Sequence, residues 1–175
     1  MSVKYSRIKF CRFLPQSSLN RRANITEFPI DMTMIRATCI AINGHGILIR
    51  GPSGSGKSDL ALRLIDTGAE LVADDYVNVS THDNGLIART PENISGKIEV
   101  RELGIVSLNY RKEVTVTLVV NLTTRTDLPR LKGMRAFEIE GTHIPAIELN
   151  AFRPSAPAKV RVGLECAIGK SRIEP

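Results

Sequence analysis

A chain of 175 residues, 42% apolar and 24% charged, has the size and composition of one globular domain with an ordinary core. No stretch approaches the roughly eighteen apolar residues of a membrane span, no apolar run follows the basic start as in a signal peptide, and the absence of Trp and scarcity of other aromatics argue against a base-stacking surface for nucleic acid. The net charge of +6 is local, since seven of the 24 cations but only two of the 18 anions fall in residues 1–36, leaving the remainder nearly neutral. Residues 1–33 read as a basic, irregular leader expected to be disordered; the folded domain is expected over 34–175. "ATCIAI" and "ILIR" flank Asn43-Gly44-His45-Gly46, a hairpin signal with a four-residue loop that puts His45 in solvent. The second run feeds "GPSGSGKS", and "DLALRLID" then sets Leu60, Ala61, Leu64 and Ile65 on one helical face, closed by Thr67-Gly68. "ELVAD" reads as a short strand buried on both faces. "YVNVS" and "LIART" predict a hairpin around Thr81–Gly85, "EVTVTLVVNL" predicts the longest strand, and "FEIEGTHIPAIEL" predicts a hairpin turning at Gly141-Thr142. His82 and His143 fall in turn-like stretches. Ser155-Ala156-Pro157 announces a last helix, with Val160, Leu164, Ala167 and Ile168 on its apolar face. Strands with a helix directly after a Gly-rich loop predict an α/β fold with a mixed sheet and a C-terminal helix. Cys11, Cys39 and Cys166 are too scattered for a metal site or a disulfide framework; Cys39 and Cys166 read as small core residues, and the pattern suits a reducing cytoplasm.

The chemistry begins at Gly51–Ser58, which fits G-x-x-x-x-G-K-[ST] in full. Glycines at 51, 54 and 56 let the backbone turn tightly with its N–H groups inward, and a following helix start favours phosphate oxygens. Lys57 has the reach for β- and γ-phosphates and Ser58 a hydroxyl for Mg²⁺. Neither D-x-x-G nor N-K-x-D occurs, which excludes a regulatory GTPase, and the acidic strand comes one helix after the loop, sooner than in a motor ATPase. That strand ends in Asp74-Asp75. Successive strand residues face opposite sides, so one carboxylate can serve the cation or Lys57 while the other takes a proton from an incoming hydroxyl. A solvated Asp-Asp turn fits the same spacing. In "IEVR", Glu99 and Arg101 are expected to share one strand face and Ile98 and Val100 the other.

"GPSGSGKSDLALRLIDTGAELVADDYV" and, downstream, "KIEVRELGIVSL" resemble two signatures of the HPr kinase/phosphorylase family, in the family's order. The resemblance runs from about Ile35 to the C-terminus and corresponds to the family's catalytic domain, as in its short forms. It implies a P-loop kinase-type core, a cytoplasmic enzyme and a hexamer. It also implies transfer of the ATP γ-phosphate to a serine of the phosphocarrier HPr, and reversal with inorganic phosphate to give pyrophosphate. By motif, Gly51, Pro52, Ser53, Gly54, Ser55, Gly56, Lys57 and Ser58 would bind ATP, Ser58 and Glu99 would bind Mg²⁺, and Asp75 would be the base, supported by Asp74. Ile98–Ser107 would shape the catalytic centre, Arg130 would match a catalytic arginine, and Pro145–Asn150 would serve phosphorolysis. Two positions depart from the family. Arg36 stands where a histidine is usual and can neither accept a hydrogen bond nor act as a neutral base, and Glu102 replaces a glycine after Arg101. A small-molecule kinase on the same core, or a nucleotide-sensing regulator without efficient transfer, fits the same loop.

Overall fold

The computed structural model describes residues 32–82, 85–129 and 133–174; the leader expected over 1–33 lies almost wholly outside them. Two helices pack on one nine-stranded mixed sheet. In chain order the strands are β1 (Thr33–Arg36), β2 (Thr38–Ile42), β3 (His45–Arg50), β4 (Glu70–Ala73), β5 (Tyr76–His82) and β6 (Gly85–Arg89). They continue with β7 (Lys97–Val100), β8 (Gly104–Ser107), β9 (Glu113–Leu122), β10 (Arg135–Ile139) and β11 (Thr142–Leu149). Helix α1 (Lys57–Asp66) follows β3, and α2 (Ala156–Ala167) follows β11. The sheet runs β1-β5-β6-β9-β3-β2-β4, with the β10–β11 hairpin added through β11 to β9, while β7 and β8 form a separate ribbon. Strands β3, β9 and β11 are parallel, and the other pairs are antiparallel. Because β4 runs antiparallel to β2, and β2 to β3, β3 and β4 end at the same edge of the sheet, on either side of β2.

Each face of the sheet has its own core. Leu60, Ala61 and Leu64 of α1 and Val160 and Leu164 of α2 pack on Ile40, Ile47, Ile49, Leu118 and Val120. On the other face Cys39, Leu48, Val72, Val77, Val79, Leu86 and Val119 pack together, so the β5–β6 limb shares a core with β2 and β4. Strand β2 is therefore buried throughout, odd residues to one core and even residues to the other. Two bulges adjust this alternation. Opposite Gly46 and Ile47 the register skips Thr117, which lets Val116 face one core and Leu118 the other. Opposite Cys39 and Ile40 it skips Val72, one turn of the pleat before Asp74.

The hairpins are tighter than their sequences suggest. Ile42 pairs with His45 across Asn43 (φ 49°) and Gly44 (φ 81°), a two-residue turn with both φ positive that matches strand twist. His45 thus opens β3, with Nδ1 3.3 Å from Thr117 Oγ1, and is not a solvated loop residue. Ile139 pairs with Thr142 across Glu140-Gly141, one residue earlier than expected, and His143 lies inside β11. Strands β5 and β6 run on to His82 and Gly85. "KIEVRELGIVSL" is a hairpin, with Val100 opposite Gly104, so Arg101 sits in the turn and shares no strand face with Glu99. Ser155 precedes α2 without a side-chain cap bond. Cys39 is buried, whereas Cys166 is only half-buried, a partial departure from its expected core position.

Candidate active site

The loop after β3, the turn after β4, the β7–β8 ribbon and the loop after β11 surround one cleft of about 1160 Å³. This is the carboxyl end of the parallel strands, where such sheets bind ligands. Gly56, at φ 88°, starts α1 and leaves its first N–H groups directed at the loop. A Cβ there would sit 3.1 Å from that of Ala151, so the glycine also lets the loop after β11 approach. Ser53, Gly54, Gly56, Lys57 and Ser58 line the cleft. Gly51, Pro52 and Ser55 stand behind it. The carbonyls of Gly51 and Pro52 each accept from Lys57 Nζ at 3.1 Å, and a Cβ on Gly51 would meet Ser55 Oγ at 2.7 Å. Asn150 joins the ends of β9 and β11 by donating to the carbonyls of Thr124 and Arg125 and accepting from Phe152 N–H. Arg130 lies outside the described residues.

The two aspartates face apart. Asp74 is 6% exposed and accepts from three donors: Thr38 Oγ1 (2.7 Å), Ser58 Oγ (2.9 and 3.0 Å to its two oxygens) and Glu99 N–H (3.2 Å). A buried carboxylate needs such partners to remain charged. Asp75 is exposed and lines the cleft, where Arg36 Nε meets its Oδ1 at 3.2 Å. Its backbone has φ 65°, and Tyr76 N–H closes onto the Asp74 carbonyl at 2.8 Å. A three-residue turn with positive φ at its centre is the strained form of the γ-turn, and such strain concentrates at functional sites. Ala37 N–H also binds the Asp75 carbonyl at 3.1 Å. The segment Arg36–Thr38 therefore grips the aspartate turn three times: Arg36 on one carboxylate, Thr38 on the other, and Ala37 on the backbone. Sequence reasoning missed Thr38, whose only signal is a hydroxyl among "ATCIAI".

Glu99 and Glu102 reach the cleft from the ribbon. Glu102 has φ 70°, which accounts for the glycine usual at this place in the resembled signature. Phe152, 58% exposed, forms an apolar lip that no sequence motif announced. The donor set fits Mg²⁺. The Ser58 hydroxyl donates its hydrogen bond to Asp74 and keeps its lone pairs, and Glu99 lines the same cleft. Among the described residues no three His, Cys, Asp or Glu side chains could cage a metal, and Mg²⁺ characteristically takes one or two protein ligands and leaves the rest to water and phosphate.

A mixed sheet carrying a phosphate loop and an acidic turn at its parallel strand ends defines an α/β phosphate-loop protein. Residues 30–154 match the family model described as HPr Serine kinase C-terminal domain, and the chain belongs to that family. It is 45% identical to the HPr kinase/phosphorylase of Clostridium acetobutylicum over 146 residues, 78% of this chain and 45% of that protein. It is also 45% identical to that of Clostridium beijerinckii over 76 residues, 43% of this chain and 25% of that protein. The chain thus spans less than half the length of these relatives. The solved Hpr(Ser) kinase/phosphatase of Coxiella burnetii superimposes with TM-score 0.69 at 26% identity, covering 79% of this chain and 97% of that one.

Proposed function

We propose that this chain is an ATP- and Mg²⁺-dependent serine kinase of HPr or an HPr-like phosphocarrier, and that it phosphorolyses the phosphoserine product. The observation that carries this reading is the division of the two carboxylates: Asp74 is turned inward onto Ser58 and Asp75 outward into the cleft. One carboxylate alone would serve nucleotide binding; the second, beside the phosphate loop but not bonded to it, suits a hydroxyl substrate. The loop N–H groups and Lys57 hold the phosphates of ATP in line with the incoming serine. The serine oxygen bonds the γ-phosphorus as the bond to the ADP oxygen breaks, and Asp75 receives the serine proton. In reverse, an oxygen of inorganic phosphate bonds the phosphorus of phosphoserine, the serine oxygen leaves with a proton from Asp75, and pyrophosphate is released. Ser58 and Glu99 would hold Mg²⁺, which when bound would supply charge neutralisation on the phosphates. Arg130 would add positive charge, and Pro145–Asn150 would serve the reverse step. The assembly would be a hexamer in the cytoplasm, as the resemblance implies.

The test incubates the protein with labelled ATP, Mg²⁺ and the HPr of the same organism, with and without its acceptor serine. Label on HPr that requires that serine is expected, as is its loss in Lys57→Ala. Tight binding of both ATP and HPr without label would replace the kinase by a nucleotide-sensing regulator. Phospho-HPr and inorganic phosphate should yield pyrophosphate, and failure to do so would remove the reverse activity.

A further inference from the structure

Thr38 is a hydroxyl where packing asks for none. All of β2 is buried, and the other four residues, Cys39 to Ile42, are apolar. Valine would fill the same space, whereas a buried hydroxyl must find a partner. Its partner is Asp74 Oδ1 at 2.7 Å, a full-strength distance for a hydroxyl donating to an oxygen. Register brings it there: Thr38 pairs with Ile49 and Cys39 with Ala73, so β2 begins where β3 and β4 end.

The consequence falls on Ser58. Thr38 takes one Asp74 oxygen and Glu99 N–H the other, while the Ser58 hydroxyl approaches both almost equally, at 2.9 and 3.0 Å. The carboxylate is thus braced on either side of the serine. We infer that Thr38 is a positioning residue for the cation end of the cleft, acting through Asp74 to keep the Ser58 proton directed away from a bound divalent cation and the Ser58 lone pairs available to it. A partner that directly holds a metal ligand, as Asp74 holds Ser58, commonly sets metal affinity by about 10- to 100-fold, and Thr38 acts on the cation one step further out, through Asp74. The inference rests on reading the cleft as a Mg²⁺–nucleotide site but is independent of the protein acceptor.

Mn²⁺ serves as the probe. Its affinity for the protein–ADP complex is read by paramagnetic resonance of free Mn²⁺, and ADP affinity is read separately with the metal chelated. Thr38→Val is expected to weaken Mn²⁺ severalfold, up to about tenfold, with ADP alone unchanged, and Thr38→Ser to restore the metal affinity. Should Thr38→Val not fold, Thr38→Cys, of similar size and with a weak donor, is expected to lie between wild type and that loss. Wild-type Mn²⁺ affinity in Thr38→Val or, failing that variant, in Thr38→Cys would overturn the inference, as would parallel losses of ADP and Mn²⁺ in Thr38→Ser. Either result alongside labelled HPr from the wild type sinks Thr38 alone, whereas a wild type that binds no Mn²⁺–ADP sinks this inference and the nucleotide reading together.

Discussion

Among the described residues, four that are not glycine have positive φ. Asn43, Glu102 and Glu140 turn hairpins and Asp75 turns between β4 and β5, and of these Asp75 and Glu102 line the cleft. The left-handed region costs an ordinary side chain about 1–2 kcal/mol, less for Asn and Asp. Glu102→Gly should therefore stabilise the fold by about 1 kcal/mol, read as a higher urea midpoint; an unchanged or lower midpoint would mean that the glutamate makes up its strain through its own contacts. Asparagine keeps the shape of Asp75 and tolerates the same turn, so Asp75→Asn isolates the charge. Phosphoryl transfer should fall by about 100-fold or more with ATP affinity retained, measured by labelled transfer beside nucleotide titration. The adjacency of Asp74 and Asp75 and their nearness to the loop were legible in the sequence, because an apolar strand one helix after a phosphate loop returns to it. Which carboxylate turns inward was not, since that depends on the bulge at Val72 and on donors from β2 and the ribbon.

The elements most legible in the sequence were those with one buried face, such as α1, whose Leu60, Ala61 and Leu64 follow helical spacing. The least legible was the β7–β8 ribbon, because "RELG" turns on Glu102 and Gly104, and Glu102 carries no turn signal of its own. Strand β1 went unread because its partner is β5, some forty residues away, and short edge strands have little pattern. Bulges are likewise invisible in one strand, as they are properties of a pair. Gly46 marks one. Its φ is not positive, yet a Cβ would lie 2.7 Å from the Thr115 carbonyl and 2.7 Å from Val114 Cγ1. Gly44 has open space around it and only its positive φ to defend. Gly46→Ala should accordingly destabilise by about 1–3 kcal/mol and Gly44→Ala by about 1 kcal/mol, compared by chemical denaturation. Equal losses would show that β9 moves aside freely at the bulge.

At the scale of the molecule, one sheet separates two cores, and β9 and β2 contribute to both. Neither core can open without exposing a strand that supports the other, so the described domain should unfold as one unit. Cys39 reports on this. It is buried in the core away from the helices, and burial pushes its thiol up to about 12 from an ordinary value of 9.0. The unfolded chain therefore ionises this thiol above about pH 9 while the folded chain holds its proton. Protons are then bound in greater number by the folded state, and stability falls as pH rises. The Cys39 contribution is complete below pH 9 and is lost progressively up to about pH 12, by about 1.4 kcal/mol per pH unit within that window. Urea unfolding at intervals from pH 8 to 10.5 should show this extra slope in the wild type and not in Cys39→Ala. The variant begins less stable, so the difference between the two proteins narrows as pH rises. Parallel slopes would mean that the Cys39 thiol ionises in the folded protein as readily as in the unfolded one, and that this core admits water.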